Sequence, residues 1–337
     1  MNSTDSLAIP NYVVFHALNG SGITVGYLVF NLTLFLLGVA IILLNVVVAD
    51  TLIRRRSRWR EPTDTFVISL AFTDAVTGVS VLYNAVYHLL IFKDETECLI
   101  RYGIHLSILL CNTYHLAAVT MERYVRITSP FVYAKTCRKH INILVCCGIW
   151  ALSFLLGLLP VMGVGKDFSL NRCILFNVIS TSYLGTVLAL LWMPFVIMVF
   201  LYYHIFTIVR RHTIAIVKND YTRTLKKRHS TTESIPLKYT KTVCLVTGVY
   251  LVCWMPSGLV VLLALLGKMD HMTLGQRGML LMYSSITIYL NSIINPVIYA
   301  FRISTVRYRF RQIFCKRNVT HLQTERTRSA ERSNHDC

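Results

Sequence analysis

Charge is scarce in this chain. Asp, Glu, Lys and Arg make up 15% of its 337 residues against 54% hydrophobic ones, and the mean hydropathy is +0.54. A water-soluble globular chain carries about one quarter charged residues, so there is too little polar surface here to cover a soluble body. Intrinsic disorder is excluded on the same ground. Acids are the scarcer sign, 16 against 34 bases, for a net charge of +18. In so apolar a chain that excess suits an anionic membrane leaflet better than a nucleic-acid backbone, and no nucleic-acid partner is expected. The first 24 residues hold neither Lys nor Arg and no apolar core, so no cleavable signal peptide is expected.

What is present is a series of seven apolar segments, 25–51, 63–90, 98–127, 140–162, 178–211, 237–266 and 274–301. Each exceeds the roughly 20 residues that carry a helix across a ~30 Å hydrocarbon layer. Runs such as Leu34 to Val48 and Cys244 to Trp254 lack the alternation of outer-membrane barrel strands. Without water to satisfy backbone groups they must be helical in lipid. The expected fold class is an all-α membrane protein, a seven-helix bundle. Its parts are an extracellular N-terminus (1–24), a seven-span domain (25–301), an amphipathic membrane-surface helix (302–316) and a cytoplasmic tail (317–337).

Basic residues orient the bundle. The segments 54–62, 126–140, 210–241 and 302–337, with Arg123, hold 28 of the 34, and the N-terminus and the alternate loops hold six. Basic loops stay inside, which predicts a multi-pass plasma-membrane protein with its N-terminus outside. Of the ten cysteines only Cys98 and Cys173 then lie at the oxidising face. Either they form a bridge from the top of the third span to the 163–177 loop, or they are two separate thiols.

An ionisable group deep in lipid costs about 3 kcal/mol or more and needs a reason. Of the acids only Asp74 lies deep in a span, with Glu122 near the cytoplasmic end of the third. Asn45, Asn112, Asn291, Ser292 and Asn295 are its polar company in other spans. Converging on one point they would make either a hydrogen-bonded knot or a seat for a small cation. Pro160, Pro194, Pro256 and Pro296 each remove a backbone donor and mark kinks in the last four spans.

Taken together, these positions resemble the rhodopsin-like G-protein-coupled receptors. The resemblance rests on Asn45, on Leu70-Ala71 with Asp74, and on Cys98 with Arg123 25 residues later. It continues through Glu122-Arg123-Tyr124, Trp150, Pro194 with Tyr202, Cys253-Trp254-Met255-Pro256 and Asn295-Pro296-Val297-Ile298-Tyr299. One motif per span, in order, is very specific. It implies that Arg123 pairs with Glu122 at rest and contacts a G protein when the sixth span swings outward. It implies that Tyr202 and Tyr299 turn toward that arginine in the active state. Trp254 would be the floor of the ligand pocket above the bend at Pro256, and Asp74, Asn112, Asn291 and Ser292 would be the sodium site of the inactive form. Arrestin and receptor kinases are implied partners, and no enzymatic activity is expected.

Three departures stand out. Tyr250 replaces the usual Phe of the sixth span and Thr113 a large aliphatic of the third, so the relay between them is more polar than usual. Pro236 stands where many members place an acid, which removes an inter-helix salt bridge to Arg123 and favours raised basal activity. Asn112 replaces a serine at the ion site.

Beyond Tyr299, the apolar residues Ile303, Val306, Phe310 and Phe314 recur at helical spacing among Arg307, Arg309 and Arg311, a basic amphipathic helix for the inner leaflet. Cys315 at its end is a palmitoylation candidate or a free thiol. Asn2 and Asn19 are the glycosylation candidates; Asn31 lies within a span and Asn318 inside the cell.

The expected ligand pocket is lined by Asn84, His88, His105, Leu109, Leu175, Thr186, Trp254, Ser257, Gly258, Val261, Ser285 and Tyr289, a mostly neutral cavity. His105 stands where amine receptors carry an aspartate, and either faces ligand or bonds a neighbouring helix. The seventh span has no lysine, and Tyr289 stands where opsins attach retinal. A neutral polar or lipid-like ligand therefore suits the cavity better than a biogenic amine. Trp150 to Phe154 and Asn295 to Ile303 look like adenosine receptors. Leu175 and Val261 replace that group's adenine-holding residues, which argues against adenosine itself. A chemosensory, odorant-type receptor is the alternative within the superfamily. A transporter or channel would need half-repeats or a path of membrane charges, and neither is present in the sequence.

Overall fold

The computed structural model describes residues 25–54, 62–90, 95–166, 173–223 and 235–314. Seven long helices form the first to seventh spans: Val25–Ile53, Asp64–Leu90, Glu95–Thr128, Lys139–Gly157, Thr181–Arg223, Ile235–Leu265 and Leu274–Arg302. All seven are long and apolar enough to cross a membrane. Short helices Pro130–Thr136 and Leu175–Val178 lie in the connections between the third and fourth and between the fourth and fifth spans, and Ser304–Phe314 follows the seventh span. Asn2, Asn19, Cys315 and the tail lie outside the described residues.

Two boundaries differ from the sequence expectation. The fifth span runs on as one helix to Arg223, past the expected end at 211. The fourth ends at Gly157, earlier than expected. Pro160 does not kink a continuing helix; it sits in a single 3-10 turn, Leu159–Met162, closed by Gly163 at φ +91°. Proline lacks the N–H that another α-helical turn needs, and a positive φ is cheap only for glycine. Pro194, Pro256 and Pro296 do lie inside their helices.

Close backbone approach orders the first four spans. A Cβ on Gly78 would lie 2.7 Å from Ile42 and 2.9 Å from the Gly38 carbonyl, and one on Gly157 would lie 2.6 Å from the Ser107 nitrogen. Small residues at such crossings are how helices gain dispersion contact in lipid, where the hydrophobic effect does not drive association. The interior is a continuous apolar cluster of the third, fifth and sixth spans around Leu110, Leu116, Met198, Ile205 and Tyr250. The helix Ser304–Phe314 turns its apolar side up: Val306 is fully buried with Val48, Leu52 and Tyr299, and Phe310 packs beside them. Arg309 reaches toward Asp50 at 4.0 Å, so this helix is seated under the first span.

One buried polar chain ties the second, third and fourth spans. Trp150 donates its indole N–H to Ser69 Oγ at 3.1 Å. Ser69 Oγ lies 2.7 Å from His115 Nε2, and His115 Nδ1 lies 2.8 Å from the Cys111 carbonyl. Every polar atom in that chain finds a partner, which keeps a fully buried imidazole tolerable in an apolar interior.

Candidate functional site

Three polar clusters sit one above another along the bundle. At mid-depth the second span carries Asp74, fully buried. Ser292 donates to its Oδ1 at 2.7 Å and Asn295 to its Oδ2 at 3.0 Å. Asn45 of the first span bonds the Ser292 carbonyl at 2.9 Å, which clamps the bend near Pro296 to the first span. Asn112 turns its amide N–H toward Thr77 Oγ1 at 3.3 Å. The amide oxygens of Asn45, Asn112 and Asn291 are buried and accept no hydrogen bond from the described residues. A carboxylate beside such amide oxygens is a set of hard oxygen donors.

Below it, Glu122 is nearly fully buried. It accepts from Thr63 at 2.8 Å, and its other oxygen lies 3.5 Å from Arg123 Nε. Tyr133 of the connection between the third and fourth spans faces the same carboxylate; burial first, and then the Glu122 charge, push its phenol up to about 12. The Arg126 guanidinium lies 5.6 Å above the Tyr133 ring. Tyr202 bonds Thr120 Oγ1 at 2.8 Å, and the Tyr124 hydroxyl lies 3.0 Å from His204 Nδ1. Thr120 already donates to the Leu116 carbonyl, so the Tyr202 hydroxyl is the donor between the third and fifth spans.

Above the acid, the two substituted relay positions meet. Tyr250 and Thr113 are 2.6 Å apart, hydroxyl to hydroxyl, and both are buried. Thr113 donates to the Leu109 carbonyl at 2.9 Å, so Tyr250 donates to Thr113. Tyr250 stacks on Trp254 with centroids 4.8 Å apart, and on its other side meets Phe195 at 4.9 Å. Trp254 is 5% exposed, and its indole N–H has no hydrogen-bond partner among the described residues.

Seven spans in this order, a deep acid tied to the seventh, and an interfacial Glu-Arg pair call for comparison with known membrane proteins. The family model for seven-transmembrane receptors of the rhodopsin family matches residues 44–299. The chain belongs to the rhodopsin family of receptors. It is 27% identical over 294 residues to the adenosine receptor A2b of Gallus gallus, across 77% of this chain and 81% of that one. It is 27% identical over 276 residues to the human lysophosphatidic acid receptor 3, across 80% of this chain and 74% of that one. The human adenosine receptor A2b is 26% identical over 284 residues, across 76% of this chain and 80% of the relative. The protein is therefore a multi-pass receptor of the G-protein-coupled class and not an enzyme.

The outer half of this rhodopsin-family receptor departs from its expected lining in several places. Cys98 and Cys173 are joined in a disulfide, with Cα atoms 5.8 Å apart. It draws Leu175–Val178 over the bundle, and Leu175 is buried there. His105 meets Tyr289 edge to face at 5.9 Å, and its Nδ1 is buried without a partner among the described residues. Leu109, Ser257, Val261 and Tyr289 are buried and Ser285 half-buried; the side chain of His88 lies outside the described set. Thr186 is not in the lining. It lies on the exposed face of the fifth span with Ser182, Met193 and Val196, opposite the buried row Tyr183, Val187 and Leu191. Gly258 also turns elsewhere, since a Cβ there would lie 2.7 Å from the Trp192 ring.

The neutral character of the roof needs correcting as well. Arg101, 7% exposed, bonds Asn84 Oδ1 at 3.1 Å, Cys173 Sγ at 2.7 Å and Glu97 at 3.3 Å. Its guanidinium lies 3.7 Å from the Tyr87 ring centroid. Asn84 is thus held by an arginine that sequence reasoning left out. The signal was present: Glu97 and Arg101 are four residues apart on one helix face. For Thr77 and for the Thr120–Tyr202 bond, partners 35 and 82 residues apart, no local signal exists.

Proposed function

We propose that this receptor stands in the plasma membrane with its N-terminus outside and carries the binding of a neutral polar or lipid-like small molecule to heterotrimeric G proteins. The observation that carries the ligand class is the pairing of outer acids. Among the described residues of that half, Glu95 pairs with Lys166, Glu97 with Arg101 at 3.3 Å and Asp270 with Arg277 at 3.1 Å. A cationic amine finds no unpaired carboxylate there and meets the buried Arg101 charge. The indole N–H of Trp254 and Nδ1 of His105 remain to bond an uncharged ligand. Of the relatives, one is named for adenosine, an uncharged polar molecule, and another for a lipid, lysophosphatidic acid, whose phosphate is charged. Binding would shift the population between two packings of the bent spans.

Nucleotide exchange on added G proteins, measured in membranes holding the receptor, tests the reading. Neutral amphiphiles should stimulate exchange, amines should not, and Arg123→Ala should remove the signal. Trp254→Phe and His105→Ala should each weaken ligand potency about ten-fold at equal surface level, the loss of one hydrogen bond of about 1–1.5 kcal/mol. An amine agonist, or exchange that survives Arg123→Ala, would overturn it. An odorant-type receptor is the second reading, and expression confined to chemosensory tissue would favour it.

Sodium belongs to the same proposal. Asp74, Ser292 and the buried oxygens of Asn112 and Asn291 fit a hard monovalent cation, which would neutralise the acid and hold the second, third and seventh spans together. Sodium chloride, compared with an equal concentration of choline chloride, should lower basal exchange in the native receptor. In Asp74→Asn the two salts should act alike. A sodium effect that persists in that variant refutes the site. Arrestin and receptor kinases, glycosylation at Asn2 or Asn19 and palmitoylation at Cys315 are further parts of this reading.

A further inference from the structure

Pro256 lies inside the sixth span, two residues after Trp254. It has no N–H to give the Val252 carbonyl, and its ring presses on that carbonyl. The turn 252–256 is therefore the stretch of this helix with least backbone support, and the place where it can bend. Two hydroxyl links tie the sixth span to the seventh around this turn. Before the proline, Thr287 Oγ1 lies 2.6 Å from the Cys253 carbonyl oxygen, one residue from Trp254. After it, the buried Ser257 donates to Ser284 Oγ at 3.1 Å, and Ser284 gives its own proton to the Leu281 carbonyl at 2.9 Å.

We infer that Thr287 is a positioning residue for Trp254: its hydroxyl holds the Cys253 carbonyl in the resting packing and lets it go when the sixth span bends at Pro256. The geometry gives this hydroxyl two acceptors. Besides the Cys253 carbonyl it lies 2.7 Å from the Ser284 carbonyl of its own helix. A hydroxyl has one proton. Given to Cys253, the proton ties the sixth span to the seventh; given to Ser284, it leaves the sixth free. Release strands no donor, so it costs the one bond to Cys253 and not the larger penalty of a buried unsatisfied group. Threonine is stiff at χ1, so its hydroxyl cannot follow a carbonyl that moves away, and the link is either made or broken. Trp254 is then held twice, through the Cys253 carbonyl on the backbone side and by stacking on Tyr250 at 4.8 Å on the ring side. Ser257 and Ser284 lie past the bend and keep the outer part of the sixth span on the seventh. The inference deepens the reading in which binding shifts the packing of the bent spans, and rests on it.

Fluorine NMR on the full-length receptor, labelled with 5-fluorotryptophan and held in phosphatidylcholine nanodiscs, tests this without ligand or G protein. Trp254→Phe identifies the Trp254 signal among those of the four tryptophans. That signal should report two environments, held and released. Thr287→Val keeps the branched shape and loses the hydroxyl; it should raise the ratio of released to held about five- to ten-fold, the effect of one hydrogen bond. Thr287→Ser keeps the hydroxyl and should leave the ratio as in the native receptor. Thr287→Ala should match the valine variant and replaces it should valine impair folding. Basal nucleotide exchange should rise by the same factor as the ratio. Two results would overturn the inference: a native ratio in both the valine and the alanine variants, or a serine variant shifted as far as valine, which would assign the effect to the lost methyl group. The two readouts separate the failures. A ratio that moves as expected in a receptor with no exchange above Arg123→Ala sinks the receptor reading and leaves the role of Thr287 in holding Trp254. Normal exchange with an unmoved ratio does the reverse.

Discussion

Tyr250→Phe raises basal nucleotide exchange about five- to ten-fold over the native receptor at equal surface level. The bond removed joins the third span to the sixth at 2.6 Å in a dry interior. Its loss costs the resting packing about 1–1.5 kcal/mol if the swung-out sixth span does not make it. Little else changes in the resting state. Thr113 keeps its own bond to the Leu109 carbonyl, and a phenyl ring retains the stacking on Trp254. Thr113→Val should act in the same direction, and the double variant should exceed neither single one, since both remove one interaction. Basal exchange unchanged by either substitution would show that this pair does not restrain the sixth span. The Thr113–Tyr250 pair is the hydroxyl bond that joins the third span to the sixth; the Thr120–Tyr202 pair joins the third to the fifth.

Cys173→Ser lowers the amount of receptor at the cell surface by about ten-fold or more. The bond closes a loop with a sequence separation of 75, and on the chain-entropy model opening such a loop costs roughly 4 kcal/mol. That is a large part of the 5–15 kcal/mol by which a folded domain is typically stable. The Arg101 contact to Cys173 is weakened with it, and so is the seating of Leu175–Val178 on the bundle. Cys98→Ser should match it, and the double variant should be no worse than either. Full surface expression of both single variants, with unchanged thermal unfolding, would show that the bridge contributes nothing to folding.

The spans, their number and their family were legible because each signal is local. A run of twenty apolar residues has one solution in lipid, and motifs such as Asn295-Pro296 with Tyr299 lie within one helical turn. The amphipathic helix was legible for the same reason, down to the inward set of Val306 and Phe310. The end of the fourth span was not. Proline forbids one backbone hydrogen bond, and the sequence alone does not say whether a helix kinks past it or stops; Gly163 at positive φ decides for stopping. Thr186 and Gly258 were misplaced because helix rotation decides which face looks inward and spacing alone does not fix it: Thr186 shares the exposed face with Met193 and Val196, and Gly258 faces Trp192.

Composition and periodicity by themselves determined that this protein lies in a membrane, crosses it seven times and keeps its basic ends together. Those properties follow from the cost of exposing backbone and charge to hydrocarbon, a cost each segment bears alone. Only the packed bundle decided that Tyr250 donates to Thr113 and that Arg101 gathers Asn84, Glu97 and Cys173 beneath the disulfide. It alone left Trp254 and His105 with polar atoms to offer. Such pairings are satisfied across gaps of up to hundreds of residues, where helix rotation and crossing angle choose the partner and no local pattern records the choice.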